Sequence, residues 1–118
     1  MMHSFAPGDD LIFQLESCYG LLRVLAVEGE GIETVWHLLA YEDFFPDVES
    51  AERALAEPSS LRVSKPHMAL TDRAFERTPA ARLSNRELSE DELTAYREWV
   101  GSEKHVSDRS ALLLLGIR

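Results

Sequence analysis

Hydrophobic and polar residues alternate with a period of two from residue 10 to residue 41. Such alternation predicts β-strands, because successive side chains of a strand point to opposite faces of a sheet. The first strand ends in a turn over 17–20, a second strand covers 21–27, and a third covers 32–41 beyond a Gly-Glu-Gly turn. Turns this short join antiparallel neighbours, so the strands are predicted to form a three-stranded meander.

After residue 46 the pattern changes to that of a short helix. Asp47 is a residue type that caps helices, apolar residues follow at helical spacing, and Pro58 is expected to end the helix. Residues 57–66 read as a loop. A short apolar segment over 67–71 predicts a further strand, while 72–78 fits either a helical turn or an extended run.

The clearest helix is predicted over 89–101. The Ser89-x-x-Glu92 spacing is that of a capping box, apolar and aromatic residues follow at helical intervals, and Gly101 is a typical helix end. The chain closes with an apolar run over 111–117, which we predict to be a buried strand, because its exposure would favour aggregation.

These elements predict an α+β fold. Several positions on both faces of the predicted strands are apolar, so the sheet is expected to curl over itself or to be covered by a helix. We predict a single domain over residues 1–118, with a strongly bent antiparallel sheet of about five strands and the 89–101 helix packed on it. A chain of 118 residues is long enough to bury such a core without a disulfide.

The charge distribution is uneven. Residues 1–57 contain twelve carboxylates and two arginines, whereas residues 58–118 contain nine carboxylates and ten basic residues, so the net charge of −9 comes from the first half. An acidic face repels nucleic acid and anionic membrane and attracts cationic partners. We therefore predict a basic protein as the partner, with no binding of nucleic acid or membrane.

Cys18 is the single cysteine, which favours a reducing compartment. The first residues lack the pattern of a secretory signal, and the apolar runs are far shorter than the ~20 residues that a membrane helix needs. These features predict a cytoplasmic protein. Carboxylates near Cys18 would raise the pKa of its thiol, which argues against a nucleophile. No catalytic residue and no cofactor is predicted.

Two histidines leave open a second class of function, a metal-binding protein or an enzyme. If the strands that carry His37 and His67 pair, the two imidazoles meet, and with Asp43 or Asp72 they would form a nitrogen and oxygen set suited to zinc. No local ligand spacing supports this site. The alternative is a pair of half-buried histidines that make structural hydrogen bonds.

The favoured function is that of a protein-binding module. Carboxylates at the rim would accelerate association with a basic partner, and aromatic residues would anchor the complex. The candidate contact residues are Glu28, Glu30, Glu33, Tyr41, Glu42, Asp43, Phe44, Phe45 and Asp47. A third possibility is a structural subunit that forms a homodimer through the ends of the sheet.

Two segments in the first third of the chain carry a family resemblance. The run Pro7-Gly8-Asp9 leads into an alternating strand, and Tyr19-Gly20-Leu21-Leu22-Arg23-Val24-Leu25 forms the next. This opening resembles small bacterial proteins of the immunity protein 26 type. The resemblance implies a curved sheet like an SH3-like barrel and a role in neutralising a toxin, with no catalytic residues. The chain departs from the family pattern at Glu16-Ser17-Cys18, where an Asp-Gly type of turn is usual.

Overall fold

The computed structural model describes residues 5–102, 106–108 and 114–115. The fold is α+β, with a five-stranded antiparallel sheet in the order β4-β3-β2-β1-β5. The strands are β1 Asp9–Gln14, β2 Tyr19–Glu28, β3 Val35–Phe45, β4 Val63–Thr71 and β5 Ala80–Asn85. The helices are α1 Val48–Ala56, α2 Asp72–Glu76 and α3 Glu90–Val100, with short 3-10 turns at Gly31–Glu33 and Pro58–Ser60.

The predicted meander is confirmed as β1, β2 and β3, but the third strand is displaced. It begins at Val35 and continues to Phe45, because the residues Gly31–Glu33 form a 3-10 turn. Gly29 and Gly31 both have positive φ, at 79° and 57°, which only glycine adopts without strain. The Thr34 hydroxyl donates to the carbonyl of Gly31 over 2.7 Å and closes the turn.

The sheet is open, with β4 and β5 at its two edges, so a closed barrel is not confirmed. The fifth strand was predicted over 111–117, but it is β5, which pairs with β1. Most of 111–117 lies outside the described residues. Within it Leu114 is helical and Leu115 lies in a turn, so the strand prediction is wrong at these two positions. The predicted loop over 57–66 is also partly wrong, because β4 already begins at Val63.

Both faces of the sheet are covered, which explains why the strands are apolar on both sides. On one face, here the α2 face, a core around Leu11, Phe13 and Leu38 packs against Phe75. On the opposite face, here the α3 face, α1 buries Ala51 and Leu55 on the sheet while α3 lies beside them.

The helix starts are set by side-chain caps. Asp47 accepts from the Ser50 amide over 2.7 Å and begins α1, as predicted. The predicted capping box between Ser89 and Glu92 is confirmed at the start of α3. The ambiguous segment 72–78 contains the short helix α2, capped by Thr71. In the described part of the chain, no helix has the length and apolar content needed to cross a membrane.

Candidate functional site

A stripe of polar side chains runs beneath α3, on a face of the sheet that is otherwise apolar. Asp10, Arg23 and His37 are all fully buried there. Helix α3 itself buries no residue completely. It is therefore held to the sheet largely by polar and aromatic contacts, which fall into two groups, one at each end of the helix.

The first group surrounds Arg23 at the start of α3. Its guanidinium donates to the carbonyl of Gly8 over 2.7 Å and to Asp10 over 3.2 Å, and it forms an ion pair with Glu92. It also donates to the carbonyls of Arg86 and Glu87 over 3.1 and 3.0 Å. The guanidinium is thus enclosed by acceptors, which is the condition for burying an arginine at acceptable cost.

Asp10 completes this group. It accepts two hydrogen bonds from Arg86, over 2.6 and 2.7 Å, and one from Ser84 over 2.8 Å. The bonds to Asp10 raise the pKa of Arg86. Burial would raise the pKa of Glu92, but the bonds from Arg23 and Ser89 outweigh it and lower that pKa. Every member is satisfied within the protein, so this group is a structural clamp.

The second group lies under the C-terminal half of α3, where the pairing of β3 with β4 brings His37 and His67 together. Nδ1 of His37 lies 2.9 Å from Nε2 of His67, and Nε2 of His37 bonds to a carboxylate oxygen of Glu28. The ring planes are 17° apart with centroids 5.2 Å apart, so the two nitrogens are much closer together than the ring centres. The imidazoles are therefore joined edge to edge by a hydrogen bond and do not overlap face to face.

The hydrogen-bond pattern fixes the position of each proton. An ionised carboxylate only accepts, so the proton shared with Glu28 belongs to Nε2 of His37. Nδ1 of His37 is then an acceptor, and Nε2 of His67 must donate to it. The chain of bonds therefore ends at Nδ1 of His67, which carries a lone pair.

Aromatic rings of α3 enclose the pair. Tyr96 and Trp99 both contact His37 edge-on, with ring centroids 4.7 Å away, and both also lie close to His67. Burial lowers the pKa of His37, although the bond and charge of Glu28 oppose this. Burial and then the charge of His37 lower the pKa of His67 to about 4. Both shifts favour the neutral form of the imidazole at pH 7.

A cavity of about 500 Å³ adjoins His67 at the outer edge of β4. The rest of its described lining is Lys65, Met68, Ala69, Trp99, Val106, Ser107 and Leu114. Ser107 runs beside Leu70 there, where it forms an isolated parallel bridge. This volume lies within the usual range for small-molecule sites.

The carboxylates predicted to join the histidines lie elsewhere. Asp72 accepts from the indole of Trp36 over 2.9 Å on the α2 face, and Asp43 accepts from the Arg62 amide near the far end of β3. Among the described residues, no group of three or more histidine, cysteine, aspartate or glutamate side chains is arranged to hold a metal. The 2.9 Å between Nδ1 of His37 and Nε2 of His67 is that of an ordinary hydrogen bond.

The predicted acidic contact residues fall into two separate sets. Glu28, Glu30 and Glu33 lie at the β2–β3 turn, whereas Glu42, Asp43 and Asp47 lie at the other end of β3. At about 3.3 Å per residue, the two ends of β3 are roughly 33 Å apart. In the second set, Glu42 pairs with Arg62, Asp43 bonds the Arg62 amide and Asp47 caps α1. These three carboxylates have local structural roles.

The predicted aromatic anchors also differ from one another. Tyr41 is buried in the core of the α3 face, so it is not accessible to a partner. Phe45 packs partly buried against the same core, while Phe44 is 47% exposed. A more exposed apolar side chain, Ile32, was not predicted as a contact residue; it is 93% exposed at the β2–β3 turn.

Comparison of the chain with protein-family models, with curated proteins and with solved structures finds no match. The resemblance to immunity protein 26 therefore stays a prediction.

Proposed function

We propose that the protein is a binding module that docks a basic protein partner on the β2–β3 hairpin tip, defined as residues 30–33. The observation that carries this proposal is the exposure of Ile32, at 93%, between two exposed carboxylates. An apolar anchor with an acidic rim is the arrangement by which a small surface combines affinity with fast association.

The carboxylates at the tip are available to a partner. Neither Glu30 nor Glu33 is ion-paired with another residue of the described chain, in contrast to Glu42 at the far end of β3. The tip is also held in shape by its own hydrogen bonds, from the Glu33 amide to the Glu30 carbonyl and from Thr34 to Gly31. A preformed turn loses less conformational entropy on binding.

An immunity protein that occludes a basic toxin in the cytoplasm is the form of this function that the family resemblance implies. The toxin, the cytoplasmic location and the SH3-like character of the sheet all remain parts of the proposal. Occlusion requires no catalytic residue, since the complex itself blocks the partner.

The test is site-specific photo-cross-linking in the native lysate. A benzophenone amino acid replaces Ile32 in one variant and Val63, which is 46% exposed on an edge strand, in the control. We expect a basic protein to be captured from position 32 alone, with a yield that falls as salt rises. Equal capture from both positions, or capture indifferent to salt, would overturn the proposal.

A charge-matched pair of variants then tests the rim with the captured partner. Glu30→Gln/Glu33→Gln removes two charges at the tip, and Glu49→Gln/Glu52→Gln removes two from the exposed face of α1. The first pair is expected to slow association several-fold at low salt and the second to leave it nearly unchanged. Equal slowing would mean that only net charge matters.

A further inference from the structure

We propose that the cavity beside His67 is a binding site for small amphipathic anions that carry a hydroxyl group, such as aromatic hydroxy acids. This site is separate from the hairpin tip. Its described lining comes from β4, from Trp99 of α3, and from Val106, Ser107 and Leu114. Three features of the lining indicate the ligand. They match its anionic group, its hydroxyl group and its apolar body.

The first feature is charge. Lys65 lines the cavity, and the described lining residues include no carboxylate, although the protein as a whole has a net charge of −9. A cavity with a cation and without an anion favours a negatively charged ligand over a positive one. Lysine acts here as a point charge, so it suits a carboxylate.

The second feature is the lone pair at Nδ1 of His67. Glu28 accepts from His37, His37 accepts from His67, and the second nitrogen of His67 is left as an acceptor. Among the described residues that nitrogen has no hydrogen-bond partner. A ligand hydroxyl satisfies it, whereas a ligand without a donor leaves it unpaired. Glu28 and His37 are thus positioning residues that fix the tautomer of His67.

The third feature is the apolar part of the wall. Met68, Leu114 and the ring of Trp99 line the same cavity. They offer apolar contact for the body of a ligand. An aromatic hydroxy acid combines the three features in one molecule of suitable size.

The binding test uses three probes that differ by one group each. 4-Hydroxyphenylacetate carries the anion and the hydroxyl, phenylacetate lacks the hydroxyl, and tyramine replaces the carboxylate with an ammonium. NMR titration follows the ring signals of His67 and Trp99. We expect the hydroxy acid to bind about tenfold more tightly than phenylacetate and to exceed tyramine by more. Equal binding of all three, or no shift at His67 with millimolar probe, would overturn the proposal.

Two variants distinguish a direct contact of Lys65 with the ligand from a general effect of positive charge. Lys65→Met is expected to weaken binding of 4-hydroxyphenylacetate about tenfold, because the charge-assisted contact is lost. Arg62→Met removes an exposed cation from the approach to the same strand, outside the cavity lining, and is expected to leave binding unchanged. Equal weakening in both variants would show that Lys65 acts only through long-range charge. It would contradict a direct contact between Lys65 and the ligand.

The tautomer of His67 can be measured without any ligand. Nitrogen chemical shifts of the imidazole rings report which nitrogen carries the proton. We expect His67 at pH 7 to be protonated at Nε2 and not at Nδ1, and Glu28→Ala to mix the two tautomers. A proton found on Nδ1 of His67 in the unaltered protein would contradict the assignment of an acceptor in the cavity.

Discussion

Arg23 of β2 and Glu92 of α3 form an ion pair that joins the centre of the sheet to the first turn of the helix. The same glutamate closes the capping box, since its carboxylate accepts from the Ser89 amide over 2.9 Å. One side chain therefore starts the helix and fixes it on the sheet. The position of the aromatic residues further along α3 follows from this attachment.

Replacing Arg23 by Met is expected to lower the free energy of unfolding by about 3–5 kcal/mol, because Asp10 would stay buried with fewer cationic partners. Urea denaturation measures the loss. Arg53→Met on the exposed side of α1 is the matched control, and its effect should lie within about 0.5 kcal/mol. Similar losses of unfolding free energy in both variants would show that the buried clamp does not stabilise the protein specifically.

Acid should destabilise the protein through the histidine pair. The pKa of His67 is lowered to about 4 in the folded state from 6.5, so the unfolded chain binds more protons between these pH values. Stability from this residue is complete above pH 6.5 and falls as the pH approaches 4, by about 1–2 kcal/mol after allowance for partial exposure.

The check compares urea denaturation of the protein and of His67→Gln at pH 7.5, 6, 5 and 4. Glutamine also donates to His37 but does not titrate, so the difference in stability between the two proteins should shrink or reverse as the pH falls. Parallel curves over this range would show that His67 titrates normally in the folded state.

Gly20 is predicted to tolerate no side chain. A Cβ atom there would lie 2.8 and 2.9 Å from two carbons of the buried Phe13 ring. Gly20→Ala should therefore destabilise by about 1–3 kcal/mol. Gly101→Ala, whose Cβ meets nothing closer than 3.7 Å, serves as the control. Phe13→Leu should recover part of the loss in the double variant, and strict additivity of the two changes would refute a direct clash.

Variants of Asp47 test whether this residue caps α1 or contacts a partner. Its pKa is lowered by the hydrogen bonds from Ser50, as expected for a carboxylate at a helix start. Asp47→Ala should lower the urea midpoint, and Asp47→Ser should retain most of it, because a serine hydroxyl also caps. Neither change should slow partner association. A loss of binding without a loss of stability would place Asp47 in the interface instead.

Local patterns were sufficient for the meander and for the helices α1 and α3. The caps at Asp47 and Ser89 and the alternation of the strands act over a few residues, so the sequence shows them directly. Strand β5 was missed because its side chains are half-buried or exposed at the sheet edge, which removes the alternation. Its strand conformation depends on pairing with β1, a partner about 70 residues away in sequence.

The two polar groups beneath α3 could not be predicted from local patterns, because they depend on the pairing of strands that are distant in sequence. His37 and His67 meet only because β3 pairs with β4 so that His37 lies opposite Ala69. The involvement of Glu28 follows from the pairing of β2 with β3. The buried state of Arg23 has no local signal either, since a single arginine in an apolar strand gives no indication of its acceptors. Such contacts are fixed by tertiary packing and not by composition.

Helix α3, which buries no residue completely, is expected to open separately from the rest of the molecule. Hydrogen exchange should then proceed through local unfolding at its amides, while the amides in the middle of β2 and β3 exchange only when the whole domain unfolds. Each such opening admits water to Arg23 and His37 while the sheet stays intact. The rate at which these buried groups exchange protons with solvent is therefore set by the detachment of one helix.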